Sequence, residues 1–461
     1  MRRLVLICLA SLALIMPVAA NAMNIQRVVS PGGIEAWLVE EHSVPVLVLD
    51  VNWRGSGAAQ DPAGKTGTAY MMAGLMNEGA GDLDSPAFQA ALADKAISLY
   101  FDADKDDLSA SLTTLGENRG RAFELLRLAL SKPRFDSEAI ERGRAQVLSA
   151  LASESDDPDS MAARAWYAAA FPGHPYALPV KGTPETVTQI SRADLVAFSQ
   201  RVLARGNMKI AVVGPITAKE LGPLLDRTFG TLPSEPKLVP VADVTVAAPP
   251  SAPIVVPQDN AQSAVLFGET GINRSDPDFM PAYVMNYVLG GGGFSSRLMN
   301  EVREKRGLAY GIDSGFYAYE HAPVWLGQYG TRNAQAGQSL ALTRREMARM
   351  AQKGITADEL ANAKTYLTGS YPLHFDSNAG IASQLLSIQV QDLGIDYVNR
   401  RNALVEAVTL DDVARVSKRL LHPDALLVTA VGRPNFKDQS IPPAKPGQTK
   451  PVPAEPSEER P

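Results

Sequence analysis

A guanidinium and a phenol seven residues apart give the chain its clearest chemical signal: Arg303 and Tyr310, within GGGGFSSRLMNEVREKRGLAY at 290–310. Both are hydrogen-bonding groups suited to a peptide carbonyl or a developing oxyanion. The glycine run Gly290, Gly291, Gly292 and Gly293 is expected to open a charged helix that ends at Gly307. If that helix persists, seven residues make two turns, and the two groups converge on one extended guest. The run has neither the G-K-[ST] ending of a P-loop nor the spacing of a dinucleotide fingerprint. It reads as a flexible helix start, or as backbone that lets a ligand approach closely.

A complete reaction centre is harder to find. The five histidines, His42, His174, His321, His374 and His422, never fall within helical reach of one another. No H-E-x-x-H or H-x-x-E-H motif therefore exists. His42, beside Glu40 and Glu41, reads as a surface turn, and His174 in FPGHPYALPVKGTP as a loop residue. Ser295 and Ser296 follow glycines without a neighbouring histidine, and no G-x-S-x-G is present. The single cysteine, Cys8, lies in the N-terminal leader, which leaves no thiol, disulfide or cysteine metal ligand in the mature chain.

That leader has the form of a secretory signal peptide spanning 1–22. Arg2 and Arg3 form the charged region, Leu4 to Pro17 the apolar region, and Ala20-Asn21-Ala22 the cleavage site. Its apolar run is too short for a membrane anchor, and nothing later is long and apolar enough to span. A periplasmic protein is expected. Cleavage leaves 42 basic against 50 acidic side chains, with no basic patch or arm to suggest nucleic acid.

The 461 residues exceed one ordinary core. A duplication supports two domains. ETVTQISRADLVAFSQRVLARGNMKIAVVGPI at 185–216 and EAVTLDDVARVSKRLLHPDALLVTAVGRP at 406–434 share a V-T phrase, an amphipathic helix, an apolar strand and V-G. Ser191 and Asp411 are the expected helix caps. Ala69-Tyr70 and Ala282-Tyr283 form a looser echo early in two helices. In the first half, strands are expected at 33–40, 46–54, 97–103 and 106–115, the last two as a hairpin around Asp104-Lys105. Helices are expected at 64–78, 86–96, 117–131, 137–152 and 160–170. Without strict β-α alternation this predicts an α+β fold, each half a mainly antiparallel sheet with helices on one face. The expected divisions are a domain at 23–233, a Pro- and Val-rich linker at 234–256, a second domain at 257–437 and a disordered Pro-rich tail at 438–461.

FSSRLMNEVREKRGLAYGIDSGF resembles the C-terminal domain of the pitrilysin/insulinase-type zinc peptidases, the inverzincins, which include mitochondrial processing peptidase and bacterial relatives. LDSPAFQAALADKAISLYFDADKDDLSASLTTL is similar to the family's first domain after its zinc helix. The resemblance covers roughly residues 24 to 436 and implies two homologous domains in a half-clam. It places substrate binding and support of the reaction on Arg303 and Tyr310. The family's zinc helix begins G-x-A-H-x-x-E-H, and the matching stretch is Gly67-Thr68-Ala69-Tyr70-Met71-Met72-Ala73-Gly74. Tyr70 and Gly74 stand where the histidines would be, Ala73 at the catalytic glutamate and Ala150 at the distal ligand. None can hold zinc or move a proton. Glu78, farther along, reads as a solvated helix end.

The resemblance implies a noncatalytic subunit without a cofactor of its own. A homologous partner would carry the zinc, and Arg303 and Tyr310 would reach across to its peptide substrate. The peptide would add as a strand to an exposed sheet edge, with 97–103 as the candidate. The alternative is a stand-alone peptide-binding or scaffold protein. An independent peptidase ranks below both, since no replacement constellation is visible. Outside the resemblance, Arg303 reads as a surface partner of Glu301 or Glu304, and Tyr310 as a half-buried strand aromatic.

Overall fold

The computed structural model describes residues 23–445; the leader and residues 446–461 lie outside the described residues. Its strands form two sheets. The first contains β1 (Gln26–Val29), β2 (Glu35–Glu40), β3 (Val46–Trp53), β4 (Ser98–Ala103), β5 (Leu108–Leu115) and β6 (Met208–Gly214), in the order β1-β2-β6-β3-β5-β4. The second contains β7 (Ile254–Pro257), β8 (Gln262–Thr270), β9 (Ala309–Ala318), β10 (Pro323–Arg332) and β11 (Leu427–Gly432), in the order β7-β11-β8-β10-β9. Apart from β1, the two orders correspond strand for strand. In each, the closing strand of the half pairs in parallel with the short strand at one side, β6 with β2 and β11 with β7. The other pairings are antiparallel. The edge strands β4 and β9 occupy equivalent places. This is the α+β, duplicated, half-clam architecture expected from the sequence.

Burial explains why the strands are so apolar. β8 is buried without interruption from Ser263 to Gly268 and on to Glu269, and β3 from Leu47 to Trp53. A strand with one wet face would alternate; these are covered on both faces. Each half's own helices cover one face. The other cover comes from the opposite half. The helix Pro158–Ala170 lies across β8 and β11 of the second sheet, where Trp166 is fully buried and its Nε1 donates to the Leu427 carbonyl at 3.1 Å. The helix Asn378–Val390 lies across β3 and β6 of the first sheet, packing Ile381, Leu385 and Ile388 on Trp37, Val48 and Val213. Gln389 Nε2 donates to the Ile210 carbonyl at 3.0 Å.

The hairpin tips beside the two edge strands also meet. Asp106, in the β4–β5 turn, accepts the Glu320 backbone N–H at 3.0 Å and the Tyr176 hydroxyl. The Tyr167 and Tyr319 hydroxyls bond to each other at 2.7 Å.

Several expectations need revision. Ser191 does cap its helix, in a capping box with Asp194. In the second copy the cap is Thr409, not Asp411, because Thr409 pairs reciprocally with Asp412 at the third helical position. The expected linker 234–256 ends in β7, since Ile254–Pro257 finds β11 as a partner. Upstream it is pinned, with Val244 N–H on the His321 carbonyl and Ala247 N–H on the Ala170 carbonyl. The expected tail is attached through residue 445. Gln338 Nε2 holds Asp438 at 2.8 Å, Arg306 Nε donates to the Pro442 carbonyl at 2.8 Å, and Ile441 packs on the second core. Glu78 is no solvated end; it accepts from Ser85 Oγ at 2.6 Å and Arg142 at 3.0 Å.

Because Trp166 is core to a sheet that its own half does not contain, its truncation opens a cavity between the halves. Trp166→Ala should cost about 3–5 kcal/mol, and urea unfolding should split from one cooperative transition into two. A single transition with unchanged midpoint would contradict this role of the exchanged helix.

Candidate functional site

The segment around Arg303 departs from a simple helix. The helix Phe279–Asn286 runs into a wide π-helical turn at Tyr287–Gly291, so the glycine run closes one helix instead of opening the next. Glycine is the usual residue at such ends. Gly290 is buried against β9, and a Cβ there would lie 2.2 Å from Ser314 Oγ. That contact is pinned by Asn286, which donates to the Ser314 carbonyl at 2.9 Å and accepts from Ser314 Oγ at 2.8 Å. Gly293 turns the chain with a φ of 53°. The run is thus a close-packing device at Gly290 and a left-handed corner at Gly293, with Gly291 exposed between them.

A second π-helical segment, Met299–Glu304, carries Arg303. π turns are uncommon and concentrate at functional sites. The segment ends in a left-handed glycine cap: Gly307 N–H bonds the Arg303 carbonyl at 2.7 Å, and Leu308 N–H reaches back to the Val302 carbonyl at 2.9 Å. Gly307, with φ of 63°, then sends the chain back as β9. The helix does not persist from Arg303 to Tyr310; the reversal at Gly307 brings them together.

Glu301 anchors the segment. It is buried, and it accepts from Lys305 at 2.5 Å, Arg306 at 2.8 Å and Arg345 at 3.1 Å. Burial works to raise its pKa, but the Lys305 and Arg306 hydrogen bonds and charges prevail and hold it below the usual carboxylate range. With Glu301 fully engaged, Arg303 points elsewhere. Its guanidinium lies 4.6 Å from the Phe294 ring centre and 5.0 Å from that of Tyr310, and it pairs with Glu304 at 3.5 Å. Tyr310 is 86% exposed and Phe294 44% exposed, so the cluster presents one cation and two rings to solvent. Tyr310 is therefore not a half-buried strand aromatic. Phe294 escaped notice in the sequence, although an aromatic straight after a glycine run is a visible signal. Stacking on the rings restrains Arg303 while leaving it free to donate to a carbonyl.

The four positions matched to the family's zinc site come together in the first half. Tyr70, Ala73, Gly74 and Ala150 all line one cavity of about 180 Å³, beside Phe101 and Asp102 of β4. The helix Thr68–Leu75 and the helix Ser137–Asp156 supply them. A phenol, two methyl groups and a glycine do not fit a zinc ion, which takes thiolate, imidazole or carboxylate ligands. Tyr70 instead faces the Lys181 ammonium at 5.7 Å. A Cβ at Gly74 would meet open space.

The histidines are placed singly. His174 Nδ1 accepts the Tyr176 N–H at 3.1 Å and its Nε2 lies 2.9 Å from the Ala242 carbonyl oxygen. His321 pairs with Asp243, and His422 with the buried Glu269. Among the described residues no three His, Cys, Asp or Glu side chains gather as a metal site, and no helix is long and apolar enough to cross a membrane.

Comparison with known proteins agrees with the fold. Residues 189–367 match the family described as Peptidase M16 inactive domain. The chain is 29% identical over 381 residues to the non-peptidase homolog YmxG of Helicobacter pylori, covering 81% of this chain and 85% of that one. It is 25% identical over 410 residues to an uncharacterized zinc protease of Mycobacterium tuberculosis, covering 87% and 92%. A crystal structure of a peptidase M16 inactive domain from Pseudomonas fluorescens superposes with a TM-score of 0.83 at 28% identity, covering 92% of this chain and all of that one. The relatives' names fall on both sides of the catalytic divide, so the residues in the cleft carry that distinction.

Two outcomes follow. Glu301→Gln should destabilise by about 3 kcal/mol near neutral pH, because three cations lose a buried partner. The native pKa is depressed, so the ion-pair contribution is complete above the ordinary value of 4.5 and is lost as pH falls through the lower native value. The gap between variant and wild-type urea midpoints should therefore close in acid. Separately, Tyr70→His, Ala73→Glu, Gly74→His and Ala150→Glu combined should bind one zinc per chain by atomic absorption. A folded quadruple variant with no zinc would mean that these are not the lost ligand positions.

Proposed function

We propose that this chain, which belongs to the M16 peptidase family as a noncatalytic homologue, is the substrate-binding subunit of a heteromeric zinc peptidase. The observation that supports this is a division within one molecule. The four positions Tyr70, Ala73, Gly74 and Ala150 offer the cleft no zinc ligand, which leaves Asp102 as its single carboxylate, while Arg303 is held between Phe294 and Tyr310 near the solvent face. An assembly role alone would not require a half-buried cation so restrained between two rings.

In this reading the chain needs no cofactor, and zinc resides in a homologous partner. The peptide lies extended, its backbone satisfied by a sheet edge. β4 and β9 each lie at one edge of their sheets, and Tyr310 is the second residue of β9. Arg303 and Tyr310 donate to the peptide carbonyl whose oxygen gains charge when the partner's water attacks. Donors fixed before the reaction lower that barrier without reorganising. The leader residues Arg2, Arg3 and Leu4 to Pro17 support export, and a periplasmic complex is part of this reading.

The test is co-purification with a homologue that retains H-x-x-E-H, followed by a peptidase assay with zinc. The mixture should cleave unfolded peptides and neither chain alone should. Arg303→Ala in this chain should lower kcat/KM by about 10²-fold and Tyr310→Phe by about tenfold, the range for lost oxyanion donors. A partner fully active alone, and indifferent to both substitutions, would leave peptide binding or scaffolding as the function.

A further inference from the structure

The second half contains a cavity in the place equivalent to the emptied cleft. The cleft lies between the helix Thr68–Leu75 and edge strand β4; its counterpart lies between the helix Phe279–Asn286 and edge strand β9. Tyr70 and Phe101 line the first, Tyr283 and Phe316 the second. The counterpart is larger, about 430 Å³. Its chemistry also differs. Arg274, Arg401 and His374 line it, together with several aromatic rings, and no aspartate or glutamate does. That is unusual in a chain with more acidic than basic residues. The adjoining cavity, of about 670 Å³, shares Arg274 but is lined by Asp106, Asp107, Asp276, Asp392 and Glu320 as well.

Both guanidinium groups are held by neutral partners. Arg274 stacks on Phe279 at 4.1 Å and Tyr397 at 5.2 Å, and its Nε donates to Gln391 Oε1 at 2.9 Å. Arg401 is 7% exposed, lies 4.5 Å from the Tyr371 ring centre, and donates to the Leu367 carbonyl. Among the described residues neither joins an ion pair with a carboxylate. Positive charge drawn out of water without a carboxylate is costly unless an anion answers it. Aromatic walls add a preference for an apolar group beside that anion.

We propose that this cavity binds the carboxylate of a peptide, with a bulky apolar side chain seated among the rings. Ser314, Gly315 and Phe316 of β9 form one wall, so a peptide running along that open edge passes the two arginines. The proposal rests on the peptide-binding reading only for the source of the carboxylate.

N-acetyl-phenylalanine and its amide are the first probes, titrated into the purified chain by calorimetry. The acid should bind at least about tenfold more tightly, as expected when a charge-assisted hydrogen bond is lost. Arg274→Gln should abolish the difference, and Arg274→Lys should keep part of it, because the charge remains while the fork is lost. Arg433→Gln, at a surface arginine outside both sites, should leave the difference intact, and the titration uses no partner chain, which separates this pocket from the cluster proposed above. Longer peptides then locate the source: a preference that follows the free C-terminus assigns a terminal carboxylate, and one that follows an internal Asp over Asn assigns a side chain. Equal binding of acid and amide, no binding of either, or a preference that survives Arg274→Gln in a folded protein would overturn the proposal.

Discussion

A sheet buried on both faces needs two covers, and in this molecule each half supplies one of the covers for the other. The helix Pro158–Ala170 closes the second sheet and the helix Asn378–Val390 closes the first. Neither sheet is complete as an isolated domain, although each has its own core. The exchange fixes the relation of the halves more firmly than a surface contact would, because rotating one half would pull apolar side chains out of the other. It also sets where the edges lie. β4 and β9 are left open, and the tips beside them meet through Asp106, Tyr176 and Tyr319. A guest that uses either edge therefore meets a fixed frame.

Within that frame the cation at the solvent face depends on one buried carboxylate. A segment as basic as Arg303, Lys305 and Arg306 would repel itself if its charges were left to solvent alone. Glu301 collects Lys305 and Arg306 beneath the surface and adds Arg345 from a neighbouring helix. Arg303 alone among these basic side chains is turned to Phe294 and Tyr310. The wide π-helical turn makes this division possible, since a regular α-helix spaces its side chains differently and would swing Arg303 away from the reversal at Gly307.

Much of this was legible in the sequence because the signals are local. The hairpin around Asp104-Lys105 located β4 and β5, capping chemistry located the helix at Ser191, and the repeated V-T to V-G phrase announced the duplication, whereas 46–54, read as a half-buried alternating strand, is buried from Leu47 to Trp53. The meeting of Arg303 with Tyr310 was readable from spacing, although for the wrong reason: a continuous helix was expected, and the left-handed turn at Gly307 brings them together. The cap at Thr409 was missed because Asp411 and Asp412 are both good caps, and only the reciprocal pairing decides. Exchange of helices between halves leaves no local mark, since nothing in the sequence of Pro158–Ala170 or Asn378–Val390 says which sheet it covers. The carboxylate-free pocket was equally invisible, for Arg274, His374 and Arg401 are far apart in the chain and gather only through folding.

The paired cavities suggest how a duplicated fold can divide its labour. Both sit between an early helix and an edge strand, so the same architecture offers two places beside an extended guest. In the first half the cavity is about 180 Å³; Tyr70, Ala73, Gly74 and Ala150 bring no zinc ligand to it, and Asp102 is the one carboxylate in its lining. Yet the space beside Gly74 stays open, and Tyr70 faces a lysine without blocking it. The shape of the cleft is kept without a zinc ligand at any of these four positions. Such persistence is physically inexpensive, because the helix Thr68–Leu75 is held by the buried Ala69, Met71, Met72 and Leu75, and none of these depends on a metal. In the second half the corresponding space keeps charge and rings. Fold stability in this chain resides in apolar burial, so the residues facing each cavity can differ between the halves without cost to the helices and strands that frame them.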